Sequence, residues 1–296
     1  MGAVFPGVVA DKDFNELGHK ALVNARERLG VGFSFAQKVS PDDAARVMRA
    51  QIEAGHNVIW GHGGQFLPAV LELCGLYPDV AFIAEAELPV AGVCPNVHVL
   101  GCEYHKGFYV LGALAARVTR TNVIGYIGGL HQPFSRAQVN AALSAIRSFN
   151  PKATLRHVNV GDFNDPMHAR QAAQEFINEG CDVILSGVNL GNFGIIEAVN
   201  EASSPVFFTT VYTDKRAFSP KRFLTSDLFD FDGPLAGLLA GIANGEPGGF
   251  TAMRWGEGQP RYTLFPVANV PAEVDAEIRA LAKAIEEGTE IGRAHV

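Results

Sequence analysis

Several residues in this chain of 296 pair recognition chemistry with positions a small molecule can reach. Asp11, Phe14 and Asn15 stand together in Asp11-Lys-Asp-Phe-Asn15, and His62 lies among glycines in Gly61-His-Gly-Gly64. Asn189, Asn192 and Phe193 follow in Val188-Asn-Leu-Gly-Asn-Phe-Gly194, and Tyr212 and Asp214 in Thr210-Val-Tyr-Thr-Asp-Lys215. Aromatic faces suit a flat ring, while amides and carboxylates pair with hydroxyls and ring nitrogens, so the set fits a polar planar small molecule. Each residue also has a plainer reading. Asp11 and Asn15 can serve a turn alone, Phe14 and Phe193 can pack helix against sheet, and His62 can be a ligand donor, a general base or a core histidine.

Catalytic templates are missing: the chain has no G-x-S-x-G elbow, H-E-x-x-H pair, P-loop or well-placed G-x-G-x-x-G. Glu103, Tyr104 and His105 cluster in a connecting segment that nothing fixes as a catalytic unit. A binding protein without catalytic residues, metal or cofactor is therefore expected. Cys74, Cys94, Cys102 and Cys181 lack C-x-x-C spacing. Their even number permits disulfides, and buried free thiols are the expected state. A net charge of -7 without a run of Lys or Arg argues against nucleic acid or an anionic membrane surface as partner. No apolar stretch approaches the roughly 18 residues that span a bilayer. The start lacks a basic region of the signal-peptide kind, so the chain reads as cytoplasmic, mature or missing its beginning.

The elements that must position these groups alternate strand and helix. Val4 to Ala10 is predicted as a buried parallel strand, and Asp13 with Glu16 has the spacing of a capping box. Phe14, Leu17, Ala21, Leu22, Ala25 and Leu29 then recur at helical spacing up to Gly30. That puts Asp11 to Asn15 at the carboxyl end of a strand beside a helix N-terminus, where open α/β sheets bind ligands. Gly61-His-Gly-Gly64 follows the predicted strand Asn57 to Trp60 and shares that edge. Ser40-Pro41 and Asp165-Pro166 are helix starts, and Gly55 and Gly180 are stops. With 48% apolar residues and no low-complexity linker, the chain predicts parallel sheets covered by helices on both faces, in two lobes joined by several chain crossings. One codon choice for Glu290–Val296 reproduces the start of a widely used sequencing adapter, so 290–296 is set aside as a non-native tail.

Asp11-Lys-Asp-Phe-Asn15, Gly61-His-Gly with Phe66, Tyr77-Pro-Asp-Val-Ala-Phe82, Gly107 to Ala116, Ile124-Gly-Tyr-Ile-Gly-Gly129 and Gly180-Cys-Asp-Val-Ile184 occur in the order seen in the basic membrane protein family. From about residue 4 to about 270 the chain resembles these substrate-binding lipoproteins of ABC importers, of the purine nucleoside receptor type. The resemblance implies an α/β, type I periplasmic-binding-protein fold: two Rossmann-like lobes with parallel sheets, three hinge crossovers and a ligand closed between them. Residues 1–102 plus 225–262 would form the N-terminal lobe, and 103–224 plus 263–290 the C-terminal lobe.

It further implies a monomer that binds a purine nucleoside or nucleobase-like molecule, serves an ABC permease, and is extracytoplasmic and lipid-anchored at full length. Asp11 and Asn15 would bond the ligand, Phe14 would stack on its base, and Phe193 would sandwich it. Two departures bear on the sugar. Tyr212 replaces the first Asp of a Gly-Val-Asp-x-Asp-Gln segment, leaving Asp214, and Phe229 replaces the Lys of Thr-Ser-x-x-Lys. A free nucleobase competes with a nucleoside for that reason. A cytoplasmic ligand-sensing regulator of the same fold, or an enzyme acting on a nucleoside or sugar, are the alternative functions.

Overall fold

The computed structural model describes residues 1–288. In chain order they form β1 (Gly2–Val4), α1 (Phe14–Leu29), β2 (Ser34–Ala36), α2 (Pro41–Glu53), β3 (Val58–Gly61), α3 (Leu67–Cys74), β4 (Ala81–Ala86) and β5 (Val97–Gly101). There follow α4 (Tyr104–Val118), β6 (Val123–Gly128), α5 (Pro133–Phe149), β7 (Thr154–Asn159), α6 (Pro166–Asn178), β8 (Val183–Gly187), α7 (Asn192–Glu201), β9 (Phe207–Tyr212) and β10 (Phe223–Phe229). The chain closes with α8 (Asp232–Ala243), β11 (Gly249–Ala252), β12 (Arg261–Thr263) and α9 (Ala272–Glu286). It is a two-unit α/β fold. One unit is Met1–Glu103 with Asp230–Met253; the other is Tyr104–Phe229 with the described residues from Arg254 onward.

In the first unit a parallel sheet runs β11-β5-β4-β3-β1-β2. Val4, Ile59, Phe82 and Val97 on one face bury against Met48 of α2 and Val70 and Leu73 of α3, and α1 packs against α8. The second unit's sheet runs β12-β10-β9-β8-β6-β7, parallel except where β12 meets β10. Ile127, Ile184 and Phe208 bury against Ala169 and Ala173 of α6 and Ile195 and Val199 of α7. Helix α4 is buried almost all round, from Gly107 to Ala116, as its apolar sequence requires. It packs on α5 and α9.

The expected caps form. Ser40 Oγ accepts from the Asp43 amide at 3.2 Å with Pro41 opening α2, and Asp165 accepts from the amides of Met167 and His168 at 2.9 and 3.0 Å. Gly30 ends α1 at φ +70°.

Four expectations need correction. The first strand stops at Val4 instead of running to Ala10, because Pro6 has no amide to give the ladder and Val8 and Val9 lie half-exposed in the loop. The edge strands β2 and β11 are absent from the sequence reading, being short and half-exposed, with no buried face to impose a pattern. Residues 225–229 and 254–262 belong with the second unit, because β10 pairs with β9 and β12 pairs with β10. Finally, Cys74 and Cys94 form a disulfide, leaving Cys102 and Cys181 as free buried thiols. The expected tail, 290–296, lies outside the described residues.

The disulfide gives a chemical prediction. Burial pushes the Cys181 thiol up to about 12, so it resists alkylation while folded. Under non-reducing denaturation, mass tagging should count two thiols, and four after reduction. Four tags without reduction would remove the bridge. Closing a 20-residue separation should stabilise the fold by about 3 kcal/mol, measured as the difference in urea unfolding between the native protein and its Cys74→Ala/Cys94→Ala form.

Candidate functional site

Strand order reverses direction at β1/β3 in the first sheet and at β6/β8 in the second. Loops leave opposite ways from such a switch point, and the carboxyl ends there bind ligands in open α/β sheets. The expected site residues lie on these two edges.

At β1/β3, the buried carboxylate of Asp11 organises the turn into α1. Its Oδ1 accepts from the amides of Asp13 (2.9 Å) and Glu16 (3.0 Å), and its Oδ2 from the amide (3.1 Å) and side chain (2.6 Å) of Asn15. A carboxylate has about four lone-pair sites. Asn15 completes the loop by accepting from the Gly7 amide at 3.1 Å. The capping role assigned to Asp13 thus belongs to Asp11: Asp13 makes no side-chain cap bond, while Glu16 accepts from the Lys12 amide instead.

His62 is fully buried under Phe14, ring on ring at 3.9 Å and 10°. Its Nε2 lies 2.9 Å from the Phe14 carbonyl, which can only accept, so Nε2 carries hydrogen. Its Nδ1 lies 2.8 Å from Glu85 Oε1, with one proton between them. Both nitrogens are therefore committed within the unit, as are the polar atoms of Asp11 and Asn15. Phe231 meets His62 and Phe14 edge-on, at 4.8 and 5.7 Å. The stack depends on Gly18, because a β-carbon there would come within 2.5 Å of His62 Nε2.

In the second unit, Asn192 fastens the start of α7. It accepts from Ser186 Oγ at 2.6 Å and donates to the Val188 carbonyl at 2.7 Å. Phe193 packs edge-on against Phe218 at 5.1 Å. Tyr212 ends β9 at φ +74°, rare for a bulky residue, with its hydroxyl 3.2 Å from that of Tyr104. Exposed Asp214 accepts from the Arg216 amide at 2.8 Å, closing a turn.

Asn189 differs from all of these. It is 3% exposed, and its Oδ1 is buried with no hydrogen-bond partner among the described residues.

The structure adds groups that sequence reasoning missed. Asn159, Asn164 and Gln138 also hold buried polar atoms with no partner among the described residues. Arg261 and Asp227 form a fully buried ion pair; Trp255 donates to Asp227 at 3.0 Å, and the Arg261 guanidinium lies 4.2 Å from the Phe229 ring centre. A charge closing an apolar run was the available signal for Glu85. Asn159 closes a strand in the same way, but on β7, which alternates too weakly to mark its end. Among the described residues no cluster of His, Cys, Asp and Glu is placed to hold a metal.

A family model described as ABC transporter substrate-binding protein PnrA-like matches residues 1–256. The chain belongs to this family. The family is one of substrate-binding proteins, as the sequence resemblance implied. Basic membrane protein A2 of Borrelia garinii is 22% identical over 76% of this chain and 67% of its own. A putative ABC transporter glucose-binding protein of Haloferax volcanii is 28% identical over 67% and 49%, and a purine-binding protein of Brucella abortus 24% over 70% and 61%. The matches thus span about half to two thirds of these relatives' lengths.

Among solved structures, an ABC solute-binding protein of Aeropyrum pernix aligns at TM-score 0.84 with 16% identity, covering 97% of this chain and 91% of that one. A transcriptional activator of the comK gene from Bacillus halodurans aligns at 0.75 with 21% identity, covering 98% and 99%. These likenesses show the type I binding-protein fold.

Replacing Asp11 by Ala strands three backbone amides and the Asn15 side chain at the start of α1. We expect about 2 kcal/mol or more of lost stability by urea unfolding. An unchanged midpoint would show that the carboxylate does not hold this turn. His62→Leu should cost about 3 kcal/mol, because it takes from the buried Glu85 carboxyl its imidazole partner and leaves only the weak Cys102 thiol contact, and the same melts test it.

Proposed function

We propose that this protein is the substrate-binding component of an ABC importer, taking a purine nucleoside or a related nucleobase-like molecule and delivering it to a membrane permease. The observation that carries the solute-binding role is Asn189 Oδ1, a buried acceptor without a partner among the described residues, one loop beyond the second sheet's switch point. An unpaired buried acceptor costs about 1–3 kcal/mol, and a ligand donor recovers it. Phe14, held flat by His62, is the stacking residue in this reading. Asp11, Asn15 and His62 act with it by fixing the turn on which it stands, and Asn192, Phe193, Tyr212 and Asp214 shape the second unit's strand ends.

The Cys74–Cys94 bridge supports an oxidising, extracytoplasmic location over a cytoplasmic sensor, since such bridges persist outside reducing compartments. No helix among the described residues is long and apolar enough to cross a membrane. Attachment through a lipid anchor, as the family resemblance implies, is part of the same proposal. The purine-binding and glucose-binding relatives frame the choice of ligand.

Thermal-shift and calorimetric screening against nucleosides, nucleobases, sugars and amino acids tests this directly. A true ligand at 100 times its dissociation constant should stabilise the protein by about 2.7 kcal/mol. A response to sugars or amino acids with none to purines would overturn the ligand, and silence across the panel would overturn solute binding. With a purine bound, Phe14→Ala should cost about 1–3 kcal/mol of affinity through lost stacking.

A further inference from the structure

We infer that the second unit carries a further ligand site, between α9 and the edge strand β12, for a small amphoteric molecule with an apolar body, of the free amino acid class. It shares no residue with the strand-end groups described above and goes beyond the solute-binding reading. The space is a cavity of about 550 Å³, within the roughly 300–1,000 Å³ of small-molecule sites. One wall is a single stripe of α9. Arg279, Ala282, Lys283 and Glu286 line the cavity, and residues three, four and seven apart share one helix face. Ala282 is small and buried, so the space opens between the longer side chains. The other wall is β12 with the chain on either side of it. Trp255, Tyr262 and Phe265 give it aromatic surface, and Thr263 adds a hydroxyl. Thr263 is 3% exposed, and its Oγ1 has no hydrogen-bond partner among the described residues.

Charge in the lining is sorted by sign along α9. Arg279 and Lys283 come first, and neither is drawn tightly to a carboxylate: Arg279 lies 3.4 Å from Asp275, and Lys283 3.7 Å from Glu287. The Arg279 guanidinium lies over the Phe265 ring, 4.5 Å from its centre. Stacking fixes its plane and leaves most of its N–H donors for a planar carboxylate. Glu286 comes last, beside the turn at Gly256. A β-carbon at Gly256, where φ is +147°, would stand 2.2 Å from the Glu286 carboxyl carbon, so glycine lets the carboxylate lie there. Among the described residues Glu286 accepts one long hydrogen bond, 3.4 Å from the Glu257 amide. Glu257 brings a second carboxylate to the same end of the cavity.

Cations at one end, carboxylates at the other and aromatic surface between them narrow the ligand. A simple anion brings like charge to Glu257 and Glu286, and a simple cation brings it to Arg279 and Lys283. A neutral apolar molecule covers the Thr263 hydroxyl without pairing it. A molecule with both a carboxylate and an ammonium on an apolar body answers every group. Its carboxylate pairs with Arg279 and Lys283, its ammonium with Glu286, and its apolar part covers Trp255 and Phe265. Lys283 and Glu286 are separated by roughly 4.5 Å of helix rise, a gap that the adjacent charges of an α-amino acid bridge.

The test is calorimetric titration of the full chain with L-phenylalanine, L-tryptophan and L-leucine. Each is run beside its deaminated and decarboxylated analogues, 3-phenylpropionate and phenethylamine in the case of L-phenylalanine, and beside glycine, which lacks the apolar body. The best amino acid should bind at least about tenfold more tightly than either of its analogues and than glycine, because a site with paired charges rejects a ligand that leaves one unanswered. Arg279→Gln should weaken it about tenfold and remove its advantage over the decarboxylated analogue. Glu286→Gln should weaken it as much and remove its advantage over the deaminated one. Both positions are exposed, and cooperative melting checks that the variants fold. Ala282→Trp, which fills the space, should abolish binding. Equal affinity for an amino acid and either analogue would overturn the inference. So would an amino-acid response that survives Ala282→Trp or is unchanged in both charge variants, and so would no amino-acid binding at all to cooperatively melting protein.

Discussion

One buried carboxylate holds the first unit's strand-end surface in shape. The chain leaving β1 must turn into α1 within a few residues, and the first amides of a helix have no partners of their own. Asp11 supplies them from outside the helix, taking two amides on Oδ1 and the Asn15 backbone and side chain on Oδ2. Asn15 then reaches back to Gly7, so the loop is tied at both ends. With the turn fixed, the Phe14 carbonyl receives His62 Nε2 and the Phe14 ring lies flat on the imidazole. Glu85 on β4 holds the other side of that imidazole. The position of one aromatic ring thus depends on a chain of buried polar contacts in which every atom has a defined partner.

The second unit is built on the opposite principle at its corresponding edge. Asn192 is spent on the start of α7 and Asp165 on the start of α6, as helices demand. Yet Asn159, Asn164 and Asn189 keep acceptors that nothing among the described residues meets. A satisfied polar network makes a rigid support, whereas unsatisfied buried atoms cost stability that only an added molecule can recover. One edge is thus saturated within its own unit, and the other carries polar atoms still unmatched among the described residues.

Much of this fold was legible because its signals are local. Ser40, Asp165 and Gly30 mark helix ends through their own backbone chemistry, and strands buried on both faces read as apolar runs. The short edges β2 and β11 were not legible, since neither face is buried enough to impose a pattern. The placement of these residues at strand ends was legible, and the use of their polar atoms was not. Asp11, Asn15, His62 and Asn192 have the residue types of ligand contacts, and only tertiary partners such as Glu85 and Gly7 reveal how their polar atoms are used. The disulfide depends in the same way on the fold bringing the end of α3 to the loop before β5, which no spacing of cysteines encodes.

The departures at Tyr212 and Phe229 show how one change draws in others. An aromatic at 229, where the family often carries Lys, does not leave the region without a cation. Arg261 comes from β12, the antiparallel edge strand, and lays its guanidinium on the Phe229 ring while pairing with Asp227 two residues earlier on β10. A guanidinium can stack and form an ion pair at once, which an ammonium on a flexible stem does poorly. Because both charges are fully buried, neither can be removed alone without leaving the other unpaired, at about 3–5 kcal/mol. The cation here is therefore part of the framework, fixed by packing and by Asp227, whose other oxygen accepts from Trp255. Any ligand bond from this cation would need it to leave that pair.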